Sequence, residues 1–253
     1  MITSSKAQAL FNLQSLVEQF EVPHIFFFKA TDWIDNKKSV LNDINNSFSS
    51  LNNAHEMHLA IRSSAADEDG KYNAKAGEYD SVLNVPLYDQ DSVTQAVQKV
   101  ILSFVRKREI LSNDEVIIQK MIENPIMSGV IFTKDLNSGA PYYVINYDDV
   151  TGRTDTVTGG GGEYSNRTLY VLRSAIKNVR SERFKALLSA VEELEDILDY
   201  DCLDIEFAMD QNVKPYLLQV RPITTSSTWD PDIEMMLNKS LEDIHALVSK
   251  RLK

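Results

Sequence analysis

The densest group of chemistry-bearing side chains in this 253-residue sequence is an apolar hairpin near its end, LDIEFAMDQNVKPYLLQVRPIT, residues 203–224. Strand side chains alternate faces with period two, so Asp204 and Glu206 share one face while Leu203, Ile205 and Phe207 take the other. On the return strand the same alternation groups Leu217, Gln219 and Arg221 opposite Leu218 and Val220. Two carboxylates, a carboxamide and a guanidinium then converge on one side of a two-stranded ribbon. Hard oxygen donors that leave positions for phosphate oxygens suit Mg²⁺. A neighbouring arginine suits the charge that develops on a phosphoryl group in transfer. The same pattern also describes a solvated sheet face with cross-strand ion pairs, and the pattern alone leaves both readings open.

A second region is Ile61-Arg62-Ser63-Ser64-Ala65-Ala66-Asp67-Glu68-Asp69, continuing to Ala76-Gly77-Glu78-Tyr79-Asp80-Ser81. A strand that delivers an arginine to a loop of small hydroxyl residues can offer a guanidinium and backbone N–H groups to a phosphate. An ordinary surface loop has the same composition. No GxxxxGK[ST] phosphate loop occurs in the chain. The run Thr158-Gly159-Gly160-Gly161-Gly162 lacks the strand and helix that flank a dinucleotide fingerprint, and reads as a connector. Cys202 beside a strand reads as a small core residue. The four histidines, His24, His55, His58 and His245, carry no zinc-ligand pattern. Arg106-Lys107-Arg108 at a helix end complements the helix dipole.

The elements that must position these groups follow from hydrophobic spacing. Helical patterns cover about residues 5–20, 34–50, 92–108, 181–198 and 229–253. Short strands are expected at 24–28, 59–62, 82–85, 116–122, 130–133, 142–147, 168–172, 203–209 and 215–223. Val130–Thr133 and Tyr142–Tyr147 read as antiparallel partners joined by the turn Asp135 to Pro141. Hairpins outnumber βαβ units, so the fold class is α+β and not a doubly wound parallel sheet.

Composition bounds the function. Acidic side chains outnumber basic ones 37 to 26, for a formal net charge of −11. That surplus argues against a nucleic-acid binder, which needs a basic surface, but not against one small anionic ligand. With 43% hydrophobic and 25% charged residues the chain has globular values. One cysteine excludes an intrachain disulfide framework. No stretch is long and apolar enough for a secretion signal or a membrane span, so a cytoplasmic protein is expected.

These separate signals coincide with one family. IRSSAADED followed by AGEYDSVLNV resembles the VRSSA…ED…AG…(S/T)xLNV signature of the ATP-binding domain of pyruvate phosphate dikinase and phosphoenolpyruvate synthase. VIIQKMIE followed by SGVIFT is similar to its (V/I)QxM(V/I)…SGVxFT block. LDIEFAMD followed by YLLQVRPIT is similar to its DIEW…LQxRP(I/E)T terminus. The resemblance covers about residues 5–225. It implies an ATP-grasp fold, two α+β subdomains that clamp ATP, within a domain spanning 1–225, with a subdomain boundary near 115–120. The helical segment 226–253 would lead to further domains.

The resemblance also implies roles. Arg62 would grip the nucleotide phosphates, with Gly77 and Ser81 in the loop that closes over them. Gln119 and the backbone near Ile122 would hold the adenine. Glu206 and Gln219 would be Mg²⁺ ligands with Asp204 beside them, and Arg221 would stabilise the transferring phosphoryl group. Lys6 corresponds to the lysine of the family's GGKG motif, although here the segment reads TSSKAQA. A second departure is YDDVTGRTDTVTGGGGEY, where dikinases carry a WGLGE-like stretch. The implied chemistry passes the β-phosphoryl or pyrophosphoryl group of ATP to a histidine on a separate carrier domain, with release of AMP and phosphate. An acceptor-binding domain then receives it. Acceptors across the family include pyruvate, α-glucans, rifamycins and the amide of L-glutamine, and the divergent stretch favours a small-metabolite kinase such as L-glutamine kinase. A phosphoenolpyruvate synthase, an antibiotic phosphotransferase and a nucleotide-binding regulatory module are the alternatives.

Overall fold

A computed structural model of the chain describes residues 5–52, 54–65, 79–154, 167–224 and 229–251. Two antiparallel sheets carry the fold. The first contains β1 (Ile25–Lys29), β2 (His58–Ser64), β3 (Ser81–Pro86) and β4 (Glu115–Lys120), in the order β1-β4-β2-β3. The second contains β5 (Met127–Phe132), β6 (Tyr142–Asp148), β7 (Arg167–Leu172), β8 (Leu203–Met209) and β9 (Pro215–Pro222), in the order β7-β6-β5-β8-β9. Every pairing within them is antiparallel. The α+β class expected from the hairpin-rich pattern is the class observed.

Each sheet has its own core. The helices α2 (Ala30–Ser49) and α3 (Gln90–Lys107) bury Trp33, Ile44, Phe48, Val97 and Phe104 against Leu59, Ile61 and Ile118 of the first sheet. Side chains of this size contribute roughly 1.5–3 kcal/mol each when fully buried, so these few contacts outweigh any surface ion pair in the molecule. Helix α3 is held at its start by Asp89, whose carboxylate accepts from the backbone N–H of Asp91 and Ser92. The second core is built by α4 (Glu182–Leu198), which sets Leu187, Leu188, Val191 and Leu194 against Ile131, Ile145, Ile205 and Phe207.

Helix α1 (Lys6–Leu13) is shorter than the expected 5–20. Leu10 and Leu13 enter the second core, and the chain then leaves the helix so that Phe20 and Val22 can enter it too. Glu21 bridges to the edge of β9: its N–H donates to the Pro215 carbonyl and its own carbonyl accepts from Leu217. Tertiary burial overrides the helical spacing. Helix α1 therefore leans on β9 of one sheet and on β4 of the other. The segment 115–120 is a strand of the first sheet, and the chain passes to the second between Lys120 and Met127. Helix α5 (Ile233–Arg251) buries none of its residues. Among the described residues no helix is long and apolar enough to cross a membrane.

Candidate active site in the cleft between the sheets

One face of each sheet is taken by its core, and period-two alternation turns the remaining polar side chains toward the other sheet. On β4, Val116 and Ile118 enter the first core, so Ile117 and Gln119 face away from it. On β2, Leu59 and Ile61 enter the core and Arg62 faces away. On β8, Ile205 and Phe207 enter the second core and Asp204 and Glu206 face away. These outward faces meet. The Nη1 of Arg62 donates to Oε2 of Glu206 at 2.8 Å across 144 positions of sequence. The side-chain amide of Gln119, in a residue only 2% exposed, donates to the Leu218 carbonyl at 3.4 Å.

The acidic hairpin departs from strict alternation in one respect. A bulge separates Glu206 from Phe207 in the pairing of β8 with β9: Glu206 stands opposite Gln219, but Phe207 stands opposite Leu217. Leu218 is the extra residue. Leu217, expected on the face of Gln219 and Arg221, is instead in the second core with Val220. The bulge is what allows this, because one inserted residue re-phases the strand. It also leaves the Leu218 carbonyl beside the first sheet, where Gln119 meets it.

The grouping of Asp204, Glu206, Gln219 and Arg221 is otherwise as the hairpin reading has it. Arg221 holds Asp204 Oδ2 through Nε at 2.8 Å and Nη2 at 2.6 Å. Burial pushes the Asp204 carboxyl up from its ordinary range, against the pull of the Arg221 guanidinium, with Lys6 adding a weaker downward pull. Lys6, only 7% exposed, opens α1 at this point. Ser5 caps that helix and also donates its hydroxyl to the Glu115 carboxylate on β4. Ser81 stands directly opposite Arg62 in the pairing of β2 with β3. Gly77 lies outside the described residues, as do 66–76 of the polar loop and the glycine run 159–162.

Ile122 lines a cavity of about 370 Å³ at the other end of β2. Its walls come from both sheets and the crossing between them: Glu56, His58, Leu83 and Asn84, then Met121 to Asn124, then Gly152 to Thr154. Of these, Leu83, Asn84 and Met121 to Glu123 lie in two of the blocks that resemble the family, and Ile122 is the one assigned a role from sequence. Asn84 sits in a left-handed conformation with φ 57°, and its N–H approaches the Met121 sulfur at 3.0 Å. Nothing in a short strand's residue types announces that. A larger, shallower concavity of about 620 Å³ is lined by Lys177, Asn178, Val179, Arg180 and Lys185, and no cleft residue borders it.

Two observations bear on what the cleft can hold. Among the described residues Arg62 Nε is buried without a hydrogen-bond partner, as are the Nε atoms of Arg108 and Arg173. Of the three only the Arg62 guanidinium lies in the cleft, where a polyanion would satisfy that donor. The donor set of Glu206 and Gln219, with Asp204 beside them, is all oxygen and fits a hard divalent cation such as Mg²⁺. Among the described residues no group of three or more histidine, cysteine or carboxylate side chains could hold a metal ion. Glu206 and Gln219 are thus, among the described residues, the two donors a cation would meet here, with Asp204 beside them.

Two facing α+β halves with opposed charges between them form a cleft whose chemistry suits a phosphate-bearing ligand. The chain belongs to the pyruvate phosphate dikinase AMP/ATP-binding domain family, whose model matches residues 32–160, just over half of it. It is an ATP-binding domain. No curated protein sequence matches the chain. Among solved structures it is similar to D-alanyl-alanine synthetase A from Vibrio cholerae (12% identity, TM-score 0.48, 86% of this chain and 54% of that one). It is also similar to D-alanine-D-alanine ligase from Helicobacter pylori (10%, 0.44, 88% and 54%). A third is an L-amino acid ligase from Bacillus licheniformis (13%, 0.47, 86% and 42%). The chain spans about half the length of these structures, and likenesses this distant do not bear on function.

Proposed function

We propose that the chain clamps Mg·ATP between its two sheets and serves as the ATP-binding part of a dikinase-type phosphotransferase. The observation that carries this is the meeting of Arg62 with Glu206 across the cleft, with Arg62 Nε left unsatisfied. Arg62 to His58 is four strand residues, about 13 Å. That span supports a base in the cavity at Ile122 with a phosphate chain running to Arg62. Lys6, Arg62 and Arg221 neutralise the phosphates, Ser81 flanks them, and Gln119 braces the sheets beside the base. Gly77 belongs to the loop that closes over the nucleotide. Glu206 and Gln219 hold Mg²⁺, with Asp204 behind them. When bound, that ion draws charge off the phosphate oxygens.

The reaction this serves is transfer of the β-phosphoryl or pyrophosphoryl group to a histidine of a carrier domain, with release of AMP and phosphate, and onward to a small acceptor such as L-glutamine. Phosphoryl transfer is mostly positioning and charge neutralisation, which fits a cleft with no nucleophile–base pair among the described residues. In this reading 1–225 is the clamping unit, 226–253 leads away from it, and the protein works in the cytoplasm. The 253 residues alone are expected to phosphorylate no acceptor at an enzymatic rate.

Calorimetric titration with Mg·ATP tests the reading. The wild-type chain should bind, and Arg62→Ala should weaken binding roughly ten- to a hundredfold, the equivalent of losing a charge-assisted hydrogen bond of about 1.5–3 kcal/mol. Unchanged affinity in that variant removes Arg62 from the site. A regulatory module would bind equally well, and AMP release by the full-length protein separates it from the enzyme.

A further inference from the structure

We propose that the Arg62–Glu206 ion pair is a latch that joins the two sheets and occupies both charges until a nucleotide phosphate takes Arg62 and a divalent cation takes Glu206. The proposal rests on the nucleotide reading above and names a regulation of the same site. Its consequence is that nucleotide and cation enter together, and the protein takes neither well alone.

The pair joins strands of different sheets, β2 and β8, and its side chains are only 15% and 19% exposed. It is therefore screened less by salt than a surface pair. Arg221 and Asp204 form a pair of the same chemistry within the second sheet alone. That pair links nothing to the first sheet, whereas Arg62–Glu206 is a link between the two.

The pair also leaves each member short of its capacity. Arg62 reaches Glu206 through Nη1 while Nε stays buried without a partner. A guanidinium offers five N–H donors, and one carboxylate oxygen is a poor match for that set. A phosphate chain presents more acceptors and more charge, so it outcompetes Glu206 for Arg62 once the carboxylate can go elsewhere. Glu206 in turn stands opposite Gln219, and no group of three metal-ligating side chains surrounds them among the described residues. A cation arriving alone would have to displace a guanidinium and gain, among the described residues, two side-chain donors. Arriving on the phosphates, it brings its remaining ligands with it. The exchange conserves pairing: one carboxylate–guanidinium contact becomes one phosphate–guanidinium and one carboxylate–cation contact.

The test is a double-variant cycle on metal-free binding. ATP is titrated in excess EDTA into wild type, Glu206→Gln, Arg62→Gln and the double variant. Freeing Arg62 should make Glu206→Gln bind metal-free ATP about three- to tenfold more tightly than wild type, although the same variant binds Mg·ATP more weakly. The gain should vanish in the Arg62→Gln background. Mg²⁺ titrated without nucleotide should give no saturable binding. An equal gain in both backgrounds is general charge relief and overturns the latch, as does saturable binding of Mg²⁺ alone. Should metal-free binding in the Arg62→Gln background fall below detection, melting temperatures of the four unliganded proteins carry the same cycle. The latch requires the double variant to lose no more than the worse single variant, and additive losses overturn it. Wild type that fails to bind Mg·ATP sinks the nucleotide reading together with the latch. Wild type that binds it and shows additive cycles sinks the latch alone.

Discussion

Arg221 and Asp204 stand directly opposite each other on β9 and β8, and two nitrogens of one guanidinium close on a single carboxylate oxygen. Asp204 is 8% exposed, so Arg221 is the nearest compensation for a charge that burial disfavours. Removing one member of a buried pair costs about 3–5 kcal/mol because the other is left charged and dry. Arg221→Ala should approach that loss in urea denaturation. Adding Asp204→Asn should recover part of it, and no recovery would show that the loss is packing and not charge.

On the opposite face of the same sheet, Arg173, Glu195 and Tyr143 form a network that ties α4 to the sheet. Glu195 accepts from the Tyr143 hydroxyl at 2.7 Å and from both terminal nitrogens of Arg173, which also reaches the Thr133 and Asp201 carbonyls. Burial, and then Glu195, push the Tyr143 hydroxyl pKa up, so it stays a donor. Arg173→Ala should cost about 3–5 kcal/mol and Tyr143→Phe about 1 kcal/mol, while Mg·ATP affinity of the folded protein is unchanged. A shift in that affinity would place the network in the nucleotide site.

Gly129 is a glycine that the sheet requires. A Cβ there would lie 2.0 Å from the Asn146 carbonyl oxygen and 2.8 Å from the Tyr147 Cα, both backbone atoms of the paired strand β6. Backbone cannot turn aside as a side-chain end can. Gly129→Ala should therefore cost at least the upper end of the roughly 1–3 kcal/mol typical of overpacking, read as a lower melting temperature. A variant as stable as wild type would mean that β5 and β6 can separate at this point.

His24 gives stability a dependence on pH. Its ring meets the Ser47 hydroxyl at 3.0 Å and packs edge-on to Phe48, and burial, with Lys120 nearby, lowers its pKa from 6.5. The unfolded chain then binds the proton more readily than the folded one. Stability should be complete above about pH 6.5 and fall as the pH drops through the lowered value. His24→Gln should flatten the melting temperature between pH 7 and 5 relative to wild type, and an unchanged slope would assign it to other groups.

How much of this was legible in the sequence depends on where information is local. The strands were readable because Leu203, Ile205 and Phe207 alternate with Asp204 and Glu206, and α3 because Val93, Val97, Val100 and Phe104 recur at helical spacing. The juxtaposition of Arg62 with Ser81 follows from register, and that of Arg62 with Glu206 from the stacking of two sheets. Neither is written in residues adjacent along the chain. Leu217 departs from its expected face because a bulge leaves no mark on residue type, and α1 ends short of its expected range because Phe20 keeps helical spacing while reaching the same core as Leu10 and Leu13 from outside the helix. Of the cavity walls, Asn84 lies inside the matched SVLNV block, but neither it nor Arg153 carries a residue-type pattern that marks it as lining a cavity.

Helix α1 leans on a strand of each sheet, and Lys6 stands at its first turn. A rotation of one sheet against the other therefore cannot leave this cation where it was. Any change in the angle between the halves would change the distance from this ammonium to Asp204. A spectroscopic label on that helix would read closure directly, without any ligand carrying the signal.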